Sequence, residues 1–276
     1  MTEPINPLPD FERPPVVEVA LSVQFKDLPG LTPLQIGVLW QDCYRADFPK
    51  TQEHKALDEQ EESFDLEGGR NPGLRIRLGV PPTRFWFLNE SESDLVQIQR
   101  NRFTRNWKRG DKVTEYPRYS TLRARFVQDF EKFLDFVSRE NMGQVTPTQC
   151  EVTYVNEIES GPGSVGHGEL ARILRFLVQG GGGFLPAPEN EDIGLRFLIR
   201  GEDGKPTGRL HVQARACHRV ADSRPVHVLE LTARGRPQSE GKEEVLRFLD
   251  LGREWIVRGF TDSTTTEMHR MWGRKR

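Results

Sequence analysis

The sequence predicts an α+β fold built from two degenerate β-α-β-β-β-α halves, residues 1–145 and 146–276, in one compact unit. The segment Gly73-Leu74-Arg75-Ile76-Arg77-Leu78 in the first half resembles Gly194-Leu195-Arg196-Phe197-Leu198-Ile199 in the second. A strand-like run with a Glu-Val pair precedes each segment, at Glu18-Val19 and Glu151-Val152. Because short turns join the predicted strands, we expect a mainly antiparallel sheet with its helices on one face, as one continuous sheet or two facing ones.

The first half opens with alternating apolar residues over 16–25, which predicts a strand. Thr32-Pro33 then supplies an N-cap and a proline at the first helical position for a helix to about residue 47. The acidic stretch 51–69 is either a solvated loop or a polar strand. Strands are predicted at 74–78, 84–88 and 94–107, and a helix with a continuous apolar stripe at 120–140.

The second half repeats this order. The predicted elements are a strand over 149–158, a helix over 168–179, strands near 193–200, 209–218 and 226–234, and a helix over 241–260. Ser239 is the expected N-cap of that last long helix. Thr264 and Glu267 have the spacing of a capping box, which predicts a short terminal helix whose Met and Trp side chains dock onto the body.

Composition excludes several classes of protein. The chain has 276 residues, 29% of them charged, and a net charge of -2, which argues against a general polyanion binder. Cys43, Cys150 and Cys217 suggest neither a disulfide framework nor a zinc knuckle, so a reducing cytoplasm fits best. Neither a signal peptide nor a run of about 18 apolar residues occurs, so secretion and membrane spanning are disfavoured.

Three motifs support a resemblance that extends over nearly the whole chain. They are Pro14-Pro15-Val16-Val17-Glu18-Val19, then Asn106-Trp107-Lys108 with Tyr116-Pro117-Arg118-Tyr119, and Thr265-Thr266-Glu267-Met268-His269-Arg270-Met271-Trp272-Gly273. In this order they resemble a sporadically distributed bacterial family of uncharacterised proteins. The resemblance implies no activity, catalytic residue or cofactor. A patchy distribution is typical of accessory or defence genes.

No stretch spells out a catalytic, cofactor or metal motif. The glycine run 180–183 follows a predicted helix, whereas a phosphate-binding loop follows a strand and precedes a helix. His218 and His227 could face each other across a hairpin, but two imidazoles without a third ligand do not make a metal site. We therefore expect no cofactor, no metal and no catalytic residue.

The predicted hairpin 209–218/226–234 sorts its side chains onto two faces. If its turn centres on Asp222-Ser223, His218 lies opposite His227 and Arg215 opposite Glu230. One face would carry the apolar residues Leu210, Val212, Ala214, Ala216, Leu229 and Leu231. The other would carry His211, Gln213, Arg215, Glu230, Thr232 and Arg234.

The open face of the sheet is the first candidate site. Arg75, Arg77, Trp86, Gln97 and Gln99 in the first half, and Arg196, Gln213, Arg215 and Arg234 in the second, are expected to share it. Arginines, glutamines and an aromatic ring suit base stacking or phosphate binding. The alternative is a solvated face whose arginines pair with Glu18, Glu151 and Glu230.

The second candidate is a basic run that could form an extended hairpin arm contacting phosphates. It consists of Arg100, Arg102, Arg105, Lys108 and Arg109, interrupted by Phe103 and Trp107. The alternative is an ordinary exposed strand end that pairs with the acidic stretch.

These observations favour a noncatalytic binding or scaffold protein, in a bacterial defence or mobile-element setting, that engages a protein partner or nucleic acid. A different class remains open, namely a hydrolytic or nucleotide-processing enzyme that uses His211, Arg215 and Glu230. A deep pocket around those three side chains would favour the enzyme, and a broad face would favour binding.

Overall fold

A computed structural model describes residues 7–64, 82–110, 115–159, 170–177, 184, 191–201, 203–219 and 222–275. The strands are β1 (Val16–Phe25), β2 (Lys50–Lys55), β3 (Thr83–Leu88), β4 (Asp94–Gln99), β5 (Arg102–Lys108), β6 (Pro147–Glu159), β7 (Asp192–Arg200), β8 (Pro206–His218) and β9 (Pro225–Gly235). The helices are α1 (Pro33–Leu39), α2 (Tyr119–Arg139), α3 (Leu170–Ile173), α4 (Lys242–Ser263) and α5 (Thr266–Met271). A π-helical turn, Trp40–Tyr44, continues α1.

All nine of these strands join one antiparallel sheet in the order β2-β3-β4-β5-β1-β6-β9-β8-β7. The α+β prediction is confirmed, and the two halves share one sheet rather than facing each other. β1 and β6 pair at the centre, and the later strands of each half continue outward from that pair. In the second half β7 takes the position that β3 takes in the first, and β2 is an additional edge strand.

The helices cover one face of the sheet, where alternate strand residues are apolar. On α2, Phe126, Phe130 and Phe133 surround Phe103 of β5, with ring centroids 5.2 to 5.7 Å away. On α4, a Cβ at Gly252 would lie 3.1 Å from a methyl group of Val152. Glycine at that position therefore lets α4 lie close against the strands.

Several predicted boundaries are corrected. The predicted strand 94–107 is a hairpin, because β4 ends at Gln99 and β5 begins at Arg102. The predicted helix 168–179 ends at Ile173, since Leu174 forms an isolated β-bridge with Thr264. The glycine run 180–183 lies outside the described residues.

Two helix caps also differ from the prediction. α4 begins after Gly241, at a φ of 107°, and no side chain caps it, so Ser239 is not the N-cap. Thr265, one residue beyond the predicted Thr264, caps α5 by accepting a hydrogen bond from Met268 N. The Thr32 cap of α1 and the docking of Met268 and Trp272 against the body are confirmed.

In the part of the chain that the structure describes, no helix combines the length and apolar character needed to cross a membrane.

Candidate functional site

The face of the sheet opposite the helices, called the polar face below, carries a row of polar side chains across both halves. The row follows the register through Trp86, Gln97, Thr104, Ser22, Glu151, Arg234 and Arg209. Each pair of opposed residues points to the same side because cross-strand partners share a face. The polar side chains of this row therefore lie together on one face of the sheet.

The centre of the polar face is not an open platform. Ser22, Gln24, Gln97, Gln99 and Arg102 are all buried. Residues 56–64, called the covering segment below, follow β2 and lie over β4, β5, β1, β9 and β8. Arg102, predicted as part of a basic arm or of a strand end that pairs with the acidic stretch, is buried and contacts Asp58 of that stretch.

Two glutamine side chains hold the backbone of the covering segment. Gln99 Oε1 accepts from Leu57 N at 3.0 Å, and Gln99 Nε2 donates to Leu57 O at 3.1 Å. Gln24 Oε1 accepts from Gln60 N at 3.0 Å, and its Nε2 donates to Gln60 O at 3.3 Å. Each amide therefore makes the paired hydrogen bonds that another peptide group would make.

We call the Gln24 and Gln99 side chains the glutamine clamps. Their spacing fits an extended chain that crosses the strands. Gln99 and Gln24 lie on β4 and β1, two strands apart, which is about 10 Å at the usual strand spacing. Three extended residues, from Leu57 to Gln60, span about 10 Å as well. Between the clamps, Arg102 donates to Asp58 O at 3.3 Å and to Gln24 Oε1 at 2.7 Å. The three side chains form one continuous support for the segment.

Further along the segment, Glu62 reaches a group of basic side chains in the second half. Its carboxylate lies 2.6 Å from Arg209 Nη1, 2.6 Å from His211 Nε2 and 3.4 Å from Arg234 Nη1. Arg234 also donates to Glu151 at 2.5 Å. We call these five residues the Glu62 cluster. Burial on its own raises the pKa of Glu62, but the hydrogen bonds from His211 and Arg209 outweigh it and lower that pKa to about 2.

Contacts at the margin of the covering segment are more exposed. Glu61 pairs with Arg236, and Glu59 accepts a hydrogen bond from Asn101 at 3.0 Å. The Arg209 guanidinium lies over the Phe64 ring at 4.9 Å. Exposed ion pairs of this kind contribute little to stability. The anchoring therefore depends on the glutamine clamps and on Glu62.

A tightly packed polar pocket, too small to hold a water molecule, lies beside Gln60. Ser22, Gln24, Arg102, Gln149, Glu151 and Arg234 line it together with Gln60. Both amide atoms of Gln149 and the Nε of Arg102 are buried without a hydrogen-bond partner in the described structure. The covering segment therefore occupies the polar face without satisfying every polar group beneath it.

The predicted basic arm is wrong in its geometry, because its arginines are distributed between the two faces of the sheet. Arg105 points to the helix side, where it bonds Asp129 at 2.8 Å and Asp94 at 2.9 Å. Arg102 is buried on the polar face. Arg100 lies in the turn between β4 and β5 and pairs with Asp27 at 2.5 Å.

Trp86 lies on the polar face, as the alternation along β3 predicts, but its ring already has neighbours. His54 stacks on it at a centroid distance of 3.9 Å. Lys108 and Arg84 lie over the ring at 4.7 Å and 5.3 Å. Trp86 is therefore part of a local stack. Arg75 and Arg77, expected beside it, lie outside the described residues.

The residues predicted on the second half have different environments. Arg196 and Arg215 are exposed on the polar face, and Glu230 is half-buried, 3.5 Å from the Thr232 hydroxyl. The predicted hairpin register is wrong by two residues, since Arg215 lies opposite Val228, Gln213 opposite Glu230 and His218 opposite Pro225. A shift of two residues preserves the faces, so the predicted division into apolar and polar sides is correct.

The same register bears on the enzyme alternative. Arg215 and Glu230 are not directly opposed, and the Nε2 of His211 is engaged by Glu62. The described residues contain no group of three or more His, Cys, Asp or Glu side chains placed to hold a metal ion.

Gln24 and Glu62 were not among the predicted site residues, whereas Gln99 was expected on the open face. Gln24 and Gln99 occupy polar positions in alternating strands, so their face was predictable. Glu62 lies within a long acidic run, and no local pattern distinguishes it from Glu59 or Glu61. Only the tertiary structure shows which of these carboxylates meets the half-buried Arg209 and Arg234.

The polar face, the covering segment and the Glu62 cluster define an α+β protein whose sheet binds an irregular segment of its own chain. Comparison of this chain with protein-family models, with curated proteins and with solved structures finds no match.

Proposed function

We propose that this chain is a noncatalytic binding protein whose polar face holds an extended, acidic segment of a protein partner in place of its own covering segment. The observation that carries the proposal is the pair of glutamine clamps, Gln24 and Gln99, set beside the basic side chains that hold Glu62. Together they match the two features of an acidic peptide, namely a repeating backbone and a carboxylate.

The clamps favour a polypeptide over nucleic acid. Each glutamine uses its Oε1 to accept from a backbone N–H and its Nε2 to donate to the adjoining C=O. A sugar-phosphate backbone offers acceptors but no N–H donor, so it would not replace the backbone N–H groups that Gln24 Oε1 and Gln99 Oε1 accept. A peptide backbone satisfies both atoms whatever its sequence.

The Glu62 cluster sets the charge of the partner. Without Glu62, Arg209, His211 and Arg234 would face one remaining carboxylate, Glu151. Leaving half-buried arginines without a carboxylate is unfavourable, so an occupant of this position needs a carboxylate. The acidic covering segment supplies one within the same chain.

The unsatisfied groups beneath Gln60 explain why a partner can displace the covering segment. A partner side chain that takes the place of Gln60 can bond the Gln149 amide and Arg102 Nε, which the covering segment leaves without partners. A partner that binds only the opened face has its apparent affinity reduced by the fraction of molecules that are open. These extra hydrogen bonds offset that reduction.

The test uses the full-length chain with residues 57–62 replaced by six Gly and Ser residues. A fluorescently labelled peptide with the sequence of residues 56–64, ALDEQEESF, is titrated and its anisotropy measured. We expect the opened variant to bind the peptide at least about tenfold more tightly than the unaltered chain. Replacing the peptide's glutamate equivalent to Glu62 with glutamine should weaken binding by about tenfold or more, since charge-assisted hydrogen bonds contribute about 1.5 to 3 kcal/mol.

Two protein variants and one competitor complete the experiment. Arg209→Ala in the opened background should weaken binding by about tenfold, whereas Arg196→Ala, which is exposed on the same face, should leave it unchanged. Glu62→Ala provides a second way to open the face if the six-residue replacement does not fold. A folded opened variant that fails to bind the peptide, or that binds single-stranded RNA in its place, would overturn the proposal.

A further inference from the structure

A cavity of about 100 Å³ lies on the face of the sheet that the helices cover, opposite the face that holds the covering segment. It is bounded by residues 9–16, the start of α2 and the second half of α4. Aromatic and aliphatic side chains form most of its wall, including Phe11, Ile256 and Phe260. Three tyrosines, two arginines, Asp10 and Asn156 add polar groups to this apolar lining.

The tyrosines contribute a hydrogen-bond donor. Tyr116 Oη and Tyr154 Oη are 2.9 Å apart. Burial raises the pKa of both phenols, so both are protonated near neutral pH. One hydroxyl donates to the other, and the accepting hydroxyl keeps its own proton. Among the described hydrogen bonds, none uses that second proton.

Arg253 contributes a positive charge that lacks a counterion. Its guanidinium lies over the Tyr119 ring at 5.1 Å. Its Nε is buried and has no hydrogen-bond partner, and the described residues give it no carboxylate. The acid one turn earlier on α4, Asp250, is held by Arg123 at 2.7 Å and by the Tyr119 hydroxyl. A buried guanidinium N–H without an acceptor is unfavourable unless a ligand supplies one.

The second arginine fastens the chain segment that closes the cavity. Arg118 has a φ of 67°, which is uncommon for a bulky residue. From this backbone position its guanidinium donates to the Asp10 carboxylate at 3.2 Å and to Phe11 O at 3.1 Å. Among the described residues, Arg118 thus has a carboxylate partner and Arg253 does not.

Residues of all three motifs that carry the family resemblance meet at this place. Pro14 and Val16 come from the first motif, and Tyr116, Arg118 and Tyr119 from the second. Trp272 of the third packs on Phe11 and Phe260, with centroids 6.2 Å and 5.0 Å away. The proposed peptide site uses none of these contacts.

We infer that this cavity binds a small organic carboxylate with an aromatic or branched aliphatic body. The carboxylate accepts hydrogen bonds from Arg253 and from the Tyr116–Tyr154 pair, and the body contacts Phe11, Ile256 and Phe260. An apolar wall with a few converging polar groups is the usual composition of a small-molecule site. The cavity volume limits the ligand to roughly the size of benzoate.

The experiment tests benzoate, phenylacetate and isovalerate against the full-length protein by isothermal titration calorimetry. Benzamide, phenylacetamide and isovaleramide serve as neutral controls of the same shape. At least one carboxylate should bind with a Kd below about 10 mM, as expected for ligands of this size, and its amide at least about tenfold more weakly.

Variants locate the binding. Arg253→Gln should weaken carboxylate binding by about tenfold or more, and Tyr154→Phe by a few fold. Arg247→Gln, on the exposed side of α4, should leave it unchanged. Arg253→Lys replaces the first variant if that one does not fold. The inference is overturned if none of the three carboxylates binds, if amides bind equally well, or if the Arg253 variants retain full affinity.

Discussion

The two halves of the polar face hold the same covering segment by different chemistry. In the first half, Gln24 and Gln99 bond backbone groups, which every residue carries. In the second half, Arg209, His211 and Arg234 bond one side chain, that of Glu62. The strand order is nearly symmetric about the β1–β6 pair, but the site is not. A repeated topology therefore gives the two halves the same scaffold without giving them the same role.

The largest effect on stability is expected from the second half of the polar face, where basic side chains hold Glu62. We call it the ionic half. Replacing Glu62 with alanine leaves Arg209 and its neighbours without their shared carboxylate and should lower the free energy of unfolding by about 2 to 3 kcal/mol. Urea denaturation measures the loss. Glu61→Ala is the matched control, because its carboxylate is exposed and pairs only with Arg236. Equal losses in the two variants would remove Glu62 from its anchoring role.

The same residue gives the ionic half a pH dependence. The pKa of Glu62 is lowered from an ordinary value of 4.5 to about 2. Its contribution is therefore fully present above about pH 4.5 and is lost as the pH falls towards about 2, where the folded carboxylate takes up its proton. The stability difference between the unaltered chain and Glu62→Ala should shrink over that range.

An intermediate effect on stability is expected from the first half of the polar face, where Gln24 and Gln99 hold the covering segment. We call it the amide half. Gln99→Ala and Gln24→Ala should each lower the free energy of unfolding by about 1 kcal/mol. Hydrogen exchange distinguishes the two, since Gln99→Ala should accelerate exchange of the Leu57 amide first and Gln24→Ala that of Gln60. Gln97→Ala, on the same strand and bonded to Asn106, is the control and should leave both amides protected. If the Leu57 and Gln60 amides exchange at unchanged rates in these variants, Gln99 and Gln24 do not hold the covering segment.

The smallest effect is expected at the margin. Arg236→Ala removes the exposed pair with Glu61 and should change the free energy of unfolding by less than about 0.5 kcal/mol. Urea denaturation of Arg236→Ala and Glu62→Ala in parallel compares their losses in free energy of unfolding. A loss as large as that of Glu62→Ala would mean that the ionic half extends beyond the Glu62 cluster.

Much of the fold follows from the sequence because strand alternation and helical stripes report burial directly. The predicted 120–140 helix is α2, shifted by one residue, and the predicted faces of β8 and β9 are correct. The register between β8 and β9 was not predictable, because it depends on the connection 219–224, in which Ser223 has a φ of 56°. The turn at Arg100-Asn101 was missed although Asn is a common turn residue, because no Gly or Pro accompanies it.

The site was harder to predict than the fold. Alternation identifies the face on which Gln24, Gln99 and Arg234 lie, but not what covers it. Which carboxylate of the acidic run reaches Arg209 depends on the path of the covering segment, and that path is set by contacts nearly 150 residues apart in sequence. Local patterns carry no information about such contacts, so the acidic run gave only a choice between loop and strand.

The central pairing of β1 with β6 has one more consequence. It joins a strand of 10 residues to one of 13, and each is an interior strand only because the other half is present. Separated at the connection between α2 and β6, each half would expose one long edge of unpaired backbone N–H and C=O groups, the kind of surface that promotes association with other chains. Each half of this protein thus pairs with the strand edge that the other half would otherwise expose.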